Sequence, residues 1–396
     1  MRKLLTSPVN TMALSDAENT IYNKSLSYIS ELSLNLMAVK VTHHPEDFLG
    51  WCTELLSLSQ NGINRDLLDV EQFKPLEKLE QLLTLGISVS QLKMLRIAPW
   101  PLFVAFIEQQ AESHALEERF ALLDYIHNLN ACSLAEMSEN DRLTYAGKHT
   151  NNHHYTVYDF DVEWFASTKG AKLFHTLLVE QAEDFQQALN YIPLTGDVTP
   201  AQYRDFEKAY KRIFSHYKKN KSNGEKAPLA PATRLLAMRR PDQFIALTNA
   251  KLEVLCQGLG LIKFNGFDFD SYWHELISTI RTCAWWHQAQ PEAERELKIW
   301  QARAIFVDLF LFADKNLAFN SNYLRLRDKA LNKPRRAINS SRRINTKLTI
   351  EEQVDQALEA EDTPEYLKGK RDSIITSVKQ GKTVEQVISL MRAIFG

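Results

Sequence analysis

Apolar residues recur at helical spacing through much of the 396-residue chain, and this period limits the possible folds more than any other feature. In the first 140 residues, for example, Leu76, Leu79 and Leu83 follow a period of 3.6 residues. Pro75 and Pro99 interrupt the pattern, as prolines do at helix ends. The sequence therefore predicts a mainly α-helical protein.

Composition predicts a packed protein with more than one domain. The chain is 44% hydrophobic and 24% charged, which argues against general disorder. Its four cysteines lie far apart, as is typical of reduced thiols in a cytoplasmic protein. The longest apolar stretch, residues 97–107, is too short to span a bilayer and contains two prolines, so we expect no membrane partner.

A minor β element is predicted near residues 155–165. Aromatic and aliphatic side chains alternate there with acidic ones, which is the period of a half-buried strand. The alternating residues are Tyr158, Phe160, Val162 and Trp164 on one face, and Asp159, Asp161 and Glu163 on the other.

Breaks in the helical pattern predict four segments. They are an N-terminal helical domain (1–195), a central basic helical domain (196–332), a basic linker (333–348) and a C-terminal three-helix module (349–396). In the middle of the chain, the pattern predicts helices over residues 169–191, 199–217, 232–238, 249–258, 271–290 and 292–319.

Positive charge is concentrated in two windows of a nearly neutral chain. Residues 204–240 carry eleven Lys/Arg against three Asp/Glu, and residues 320–347 carry nine against one. Together they carry +16 and the rest of the chain −18, for a net charge of −2. Such segregation is typical of proteins with a polyanionic partner, nucleic acid first among them.

The first basic segment combines a helix, a lysine-rich loop and an arginine turn. The candidate phosphate contacts are Lys211, Arg212, Lys218, Lys219, Lys221, Arg234, Arg239 and Arg240. Most aromatic residues on the helix fall on its apolar side and are expected in the core. The loop is equally compatible with a solvated segment that has no partner.

The arginine turn has two interpretations. Arg234, Arg239 and Arg240 lie in a proline-bounded stretch, and arginine binds phosphate in a bidentate manner. Alternatively, these arginines form ion pairs inside the protein, for instance with Asp242 or with the acidic strand face.

Residues 227–244, APLAPATRLLAMRRPDQF, also resemble a stretch found in proteins of bacterial defence and restriction loci. Their Arg-Pro-Asp-x-Phe core is similar to specificity domains of modified-DNA restriction systems. The resemblance is confined to this stretch and brings no assignable catalytic residue. It implies a role in antiviral DNA surveillance.

The second basic segment predicts a tether that follows a phosphate backbone without reading bases, or else a solubilising linker. Its candidate contacts are Arg325, Arg327, Lys333, Arg335, Arg336, Arg342 and Arg343.

The sequence favours a non-enzymatic protein without cofactor or metal, because it lacks the common nucleotide-binding, nucleophile and zinc motifs. We expect a nucleic-acid-binding subunit of a larger complex, with DNA favoured over RNA and with partner subunits such as an ATPase or a nuclease. Two alternatives stay open. One is a metal-dependent nuclease built on Asp159, Asp161 and Glu163, since carboxylates bind Mg²⁺. The other is a protein–protein scaffold whose basic segments meet an acidic partner.

Overall fold

The protein is seen in a computed structural model that describes residues 13–32, 47–109, 111–112, 114–148, 163–217, 226–311, 350–358, 369–379, 384 and 387–388. These residues are mainly α-helical, which confirms the predicted fold class, and they contain no strand. Most of the predicted β element lies outside them, and residues 163–165 are irregular rather than extended in a sheet.

The described residues form sixteen helices, numbered here in chain order. They are α1 Asp16–Glu31, α2 Phe48–Asn61, α3 Val70–Ile97, α4 Trp100–Gln109, α5 Leu116–Leu129, α6 Glu139–Ala146, α7 Lys172–Glu180, α8 Ala182–Asn190, α9 Pro200–His216, α10 Leu229–Arg239, α11 Asn249–Leu259, α12 (Phe269–Ser271, continued by a π-helix at Tyr272–Ile277 and by Ser278–Arg281), α13 Glu294–Gln301, α14 Val307–Phe310, α15 Ile350–Leu358 and α16 Arg371–Lys379. Short 3₁₀ turns lie at Arg65–Leu67 and Ala284–His287.

The chain forms two compact units, residues 1–333 and residues 334–396. The first unit has two hydrophobic cores joined by one helix. α1, α2 and the first five turns of α3 enclose the N-terminal core, which includes Tyr22, Trp51 and Leu83. The last turns of α3 carry Leu92 and Leu95 into the main core, which extends to residue 311. Because α3 is 28 residues long, about 42 Å at 1.5 Å per residue, it can serve both cores.

The described residues on either side of the predicted boundary at 195/196 share the main core. Phe185 of α8 packs edge-on against Tyr210 and Phe214 of α9, with ring centroids 5.8 and 6.3 Å apart. Burial of aromatic side chains is a major source of core stability. The described residues of 163–217 and 226–311 therefore fold as one body with α4–α6.

Several predicted helix bounds differ from the structure for identifiable reasons. α3 runs through Pro75, since buried Leu76 and Leu79 hold that part of the helix against the core. The helix predicted over 169–191 is two helices, broken at Gln181. The helix predicted over 292–319 is interrupted, since α13 ends at Gln301. Beyond that point Ile305 N–H donates across the core to Pro241 O, at 2.9 Å. By contrast, α9 and α11 match the prediction, with Thr199 and Thr248 as N-caps.

The second unit contains α15 and α16, two helices of the predicted C-terminal module. Val354, Leu358, Ile374 and Ile375 pack together with Val387, which is also helical. Among the described residues, no helix is both long enough and apolar enough to cross a membrane.

Candidate nucleic-acid interface

The solvent face of α9 carries the exposed part of the first basic segment. Arg204, Lys208, Lys211 and Arg212 follow the spacing i, i+4, i+7 and i+8, and all four are exposed. We call these four residues the basic stripe. It extends about 12 Å along the helix axis at 1.5 Å per residue. The opposite face packs into the main core through Tyr203, Phe206, Tyr210, Ile213 and Phe214, as the apolar period predicts.

Two carboxylates on α9 pair with the basic stripe without neutralising it. Lys211 Nζ lies 2.5 Å from Glu207, and Lys208 Nζ lies 3.9 Å from Asp205, which is itself half exposed. The Lys208–Asp205 pair is exposed on both sides, and such pairs contribute only about 0–1 kcal/mol, so a phosphate can displace it, whereas Glu207 is buried and holds Lys211 more firmly. The helix keeps a net positive charge of two.

A groove of about 610 Å³ adjoins the stripe at the C-terminal end of α9. Its lining residues are Lys211, Ser215, Lys226, Ala227, Asn265, Phe267 and Asp268. Lys226 and Phe267 were not singled out by the sequence analysis. The sequence signals a turn at Asn265-Gly266, but it does not show that the ring of Phe267 stays in solvent.

The other surface cations predicted from the sequence lie outside the described residues. These are Lys218, Lys219 and Lys221 of the first basic segment, and Arg325, Arg327, Lys333, Arg335, Arg336, Arg342 and Arg343 of the second. They stay predictions.

Arg234 is fully buried, so it does not present a phosphate site. Its guanidinium donates to the carbonyl oxygens of Thr144, Tyr145 and Trp164 at 2.5–3.3 Å and lies 3.0 Å from the Glu163 carboxylate. Thr144 and Tyr145 belong to the last turn of α6, where carbonyl groups lack helical partners and a cation is favourable. The ion-pair interpretation is the one the structure shows for this residue.

Gly147 explains how Arg234 can approach so closely. It ends α6 in the left-handed conformation (φ +80°), and a Cβ there would lie 2.6 Å from Ala166 O and 3.2 Å from Arg234 Cγ. Glycine alone adopts this conformation without strain and leaves room for both neighbours.

Arg239 and Arg240 also hold the fold. Arg240 is 4% exposed and forms a two-pronged ion pair with Asp242, at 2.8 and 2.9 Å. It also donates to Pro193 O and Gly196 O in the link between α8 and α9. Half-buried Arg239 donates to the carbonyl of Ile192 at 2.8 Å, and burial lowers its pKa. The Arg-Pro-Asp-x-Phe motif is therefore an internal turn, and Arg240 does not present the phosphate site predicted there, whereas for half-buried Arg239 that site stays a prediction.

Two further arginines stack between tryptophan rings beside this turn. Arg281 lies 4.7 Å from the ring centre of Trp273 and 5.6 Å from that of Trp286. Arg303 lies 4.9 Å from Trp286 and 4.4 Å from Trp300. Cation–π contacts of this kind stabilise a partly desolvated guanidinium, so these arginines too are part of the packed body.

The nuclease alternative loses one of its three carboxylates. Glu163 is nearly buried and ion-paired with Arg234, so it does not lie on an exposed acidic face. Asp159 and Asp161 lie outside the described residues. Within the part of the chain that the structure describes, no three His, Cys, Asp or Glu side chains are grouped to hold a metal ion.

A buried ionic centre, formed by Arg119, Lys251 and Asp308, joins three helices. Arg119 Nη1 lies 3.2 Å from Asp308 Oδ2, while Lys251 Nζ contacts Asp308 Oδ1 and the carbonyl of Phe165. The Arg119 guanidinium also lies about 5 Å from the ring centres of Trp164 and Phe165. Asp308 is thus ion-paired with both cations, and the centre anchors α5, α11 and α14 to the segment that contains Trp164 and Phe165.

The centre gives the fold a predictable sensitivity to acid through His114. Burial, and after it the nearby charge of Arg119, lower the pKa of His114 from 6.5 to about 3, although Asp308 partly opposes the shift. Between these pH values only the unfolded chain binds the proton, so stability falls as pH falls. From pH 7 to pH 5 we expect a loss of about 2 kcal/mol from this residue. Urea unfolding of the wild type and of His114→Gln measures it: the variant is expected to lose less, and equal losses would contradict the assignment.

Comparison with protein families, with curated proteins and with solved structures gives no match for this chain.

Proposed function

We propose that the protein is a non-enzymatic, nucleic-acid-binding subunit of a larger complex, with DNA favoured over RNA. The basic stripe on α9 carries this proposal. Its four exposed cations lie on one face of a helix whose other face is fixed in the core. Lysine and arginine side chains held in this way can neutralise successive phosphates and release their counterions.

Because the arginine turn is buried, the proposed contact surface lies on α9 and beside it rather than on the turn. Arg234 and Arg240 supply no free donors at the surface, whereas Lys208, Arg212 and Lys226 are exposed. Phosphate contacts of this kind position a protein without reading bases, so we expect weak sequence preference.

The partner proteins belong to the same proposal. Three large apolar side chains are exposed at the start of α3 and just before it. They are Leu67 (81% exposed), Val70 (87%) and Phe73 (44%). Exposed apolar groups of this kind favour a protein contact there. An anti-phage setting, with an ATPase or a nuclease as partner, rests on the resemblance of residues 227–244 alone, and the neighbouring genes would test it.

Charge reversal on the stripe tests the proposal. We expect Lys208→Glu/Arg212→Glu to weaken DNA binding about tenfold or more and to reduce the slope of log affinity against log salt by about two, since each lost phosphate contact lowers it by about 0.9. Fluorescence anisotropy with labelled duplex and single-stranded DNA across a salt series measures both effects.

Lys74→Glu/Lys78→Glu is the matched control. These two lysines are exposed and have the same i, i+4 spacing on α3. We expect the control to bind as the wild type does, apart from a small effect of net charge. The proposal fails if the wild type does not bind DNA at low salt, or if both variants lose the same affinity. Failure of the first kind would favour an acidic protein partner for the stripe.

A further inference from the structure

Phe267 is exposed where its two neighbouring phenylalanines are buried. Phe264 is 7% exposed and Phe269 is 1% exposed, and both join the main core, whereas Phe267 is 49% exposed. The three lie within six residues of one another. The core therefore takes the flanking rings and leaves the middle one in solvent.

The turn that carries Phe267 is held at several points. The Phe267 N–H donates to Asn265 Oδ1 at 2.9 Å, and Asp268 N–H donates to the Asn265 carbonyl at 3.1 Å. Leu229 N–H donates to Gly266 O at 2.8 Å, which ties the turn to the start of α10. The ring is thus presented from a fixed backbone, so binding to it costs little ordering entropy.

Open space adjoins Phe267 in two grooves. It lines the groove of about 610 Å³ beside the basic stripe and a second groove of about 530 Å³. Lys211 and Lys226 lie in the first and Lys263 in the second, and Lys226 Nζ is 6.0 Å from the Phe267 ring centre. Lys263 pairs with Glu253 at 2.9 Å, so the positive charge beside the ring comes from Lys226 and Lys211 of the first groove, and a ring next to these lysines is suited to a ligand that alternates flat rings with negative charges.

We infer that Phe267 stacks on an unpaired base and that this surface takes single-stranded nucleic acid in preference to duplex. The inference rests on the proposed function and deepens it. In a duplex the faces of the bases are covered by their neighbours, so the ring can add affinity only for a single strand. The polar side chains beside the ring are already engaged: Asn265 holds the turn, and Asp268 accepts from Ser271. Base identity is therefore hardly read.

The experiment compares strands with and without bases. We expect wild-type protein to bind an oligothymidine more tightly than an abasic deoxyribose-phosphate strand of equal length and charge. Phe267→Leu is expected to reduce oligothymidine affinity about tenfold, because stacking on an aromatic ring is lost. Affinity for the abasic strand and for duplex is expected to stay unchanged, and Phe267→Trp is expected to bind oligothymidine at least as well as the wild type does. An oligouridine arm compared with oligodeoxyuridine shows whether the 2′-hydroxyl matters.

Tyr191→Leu is the control, because Tyr191 is a similarly exposed aromatic residue at the end of α8. If Phe267→Leu binds oligothymidine as the wild type does, while charge reversal on the stripe still weakens binding, the stacking inference is wrong and the proposed function stands. If no strand binds with a salt-dependent affinity, both are wrong. If Phe267→Leu lowers the affinity for the abasic strand and for duplex as much as the affinity for oligothymidine, the ring supports the fold rather than stacking on a base. The inference is then overturned.

Discussion

Replacing Arg234 with alanine is expected to destabilise the protein by about 3–5 kcal/mol, which is the usual cost of removing one partner from a buried ion pair. The substitution removes the guanidinium 3.0 Å from the buried Glu163 carboxylate and the donor to three carbonyl oxygens. It also opens a cavity, because Arg234 is among the largest fully buried side chains. Thermal and urea unfolding measure the loss, and we expect the midpoint temperature to fall by roughly 10 °C.

Arg212→Ala is the matched control, since Arg212 is exposed on α9. We expect that variant to unfold within about 0.5 kcal/mol of the wild type. Arg234→Lys keeps the charge, but a compact ammonium cannot reproduce the planar five-donor guanidinium that reaches three carbonyl oxygens and Glu163 at once, so an intermediate loss is expected. Equal stability of the two alanine variants would show that Arg234 does not hold the end of α6.

Comparison of Arg234→Ala with the charge-reversal variant of the stripe separates folding from binding. A loss of DNA affinity in Arg234→Ala is expected to track the loss of folded protein. Lys208→Glu/Arg212→Glu, by contrast, is expected to lose affinity with its unfolding temperature nearly unchanged, because both side chains are in solvent. Mutation of the arginine turn alone would therefore give a misleading picture of the interface.

Local signals in the sequence were sufficient to predict those helices whose ends and buried faces depend on residues close in the chain. Thr199 and Pro200 place the start of α9, and the apolar period predicts which of its faces is buried. Gly260 ends α11 at φ +70°, where glycine is favoured. In these helices the capping residue, the period and the packed face all agree.

The role of Arg234 could not be derived in this way, because its partners are 70 to 90 residues earlier in the chain. Most of those partners are backbone carbonyl groups, which no residue type reveals. An arginine beside prolines has the same appearance in a sequence whether its guanidinium faces a phosphate or the end of a helix. The sequence supported both interpretations, and only tertiary packing distinguishes them.

The buried ionic centre was missed for a related reason. Arg119, Lys251 and Asp308 are separated by 132 and 57 positions, and each looks like an ordinary charge on an amphipathic helix. Phe165 contributes through its carbonyl group and adopts φ +69°, a conformation that a sequence does not disclose for phenylalanine. Long-range charge pairing of this kind becomes visible only when the helices are placed together.

Replacing Asp308 with asparagine is expected to cost about 3–5 kcal/mol, because it leaves the buried cations of Arg119 and Lys251 without their shared carboxylate. Lys251→Met in addition is expected to recover part of the loss, since it removes one unpaired cation while keeping similar bulk. The double variant therefore loses less than the two single variants together, and urea unfolding of all four proteins measures the coupling.

The loss caused by Asp308→Asn is also expected to depend on pH in a defined direction. Burial lowers the pKa of Lys251 from 10.5, and Asp308 partly restores it, so removal of Asp308 lowers that pKa further. At pH values between the folded and unfolded pKa, the unfolded chain binds more protons, and stability therefore rises with pH. We expect the deficit of Asp308→Asn to shrink as pH rises from 7 towards 10, and to shrink much less when Lys251→Met is present. A deficit that is constant over this range would show that Lys251 does not carry a buried charge beside Asp308.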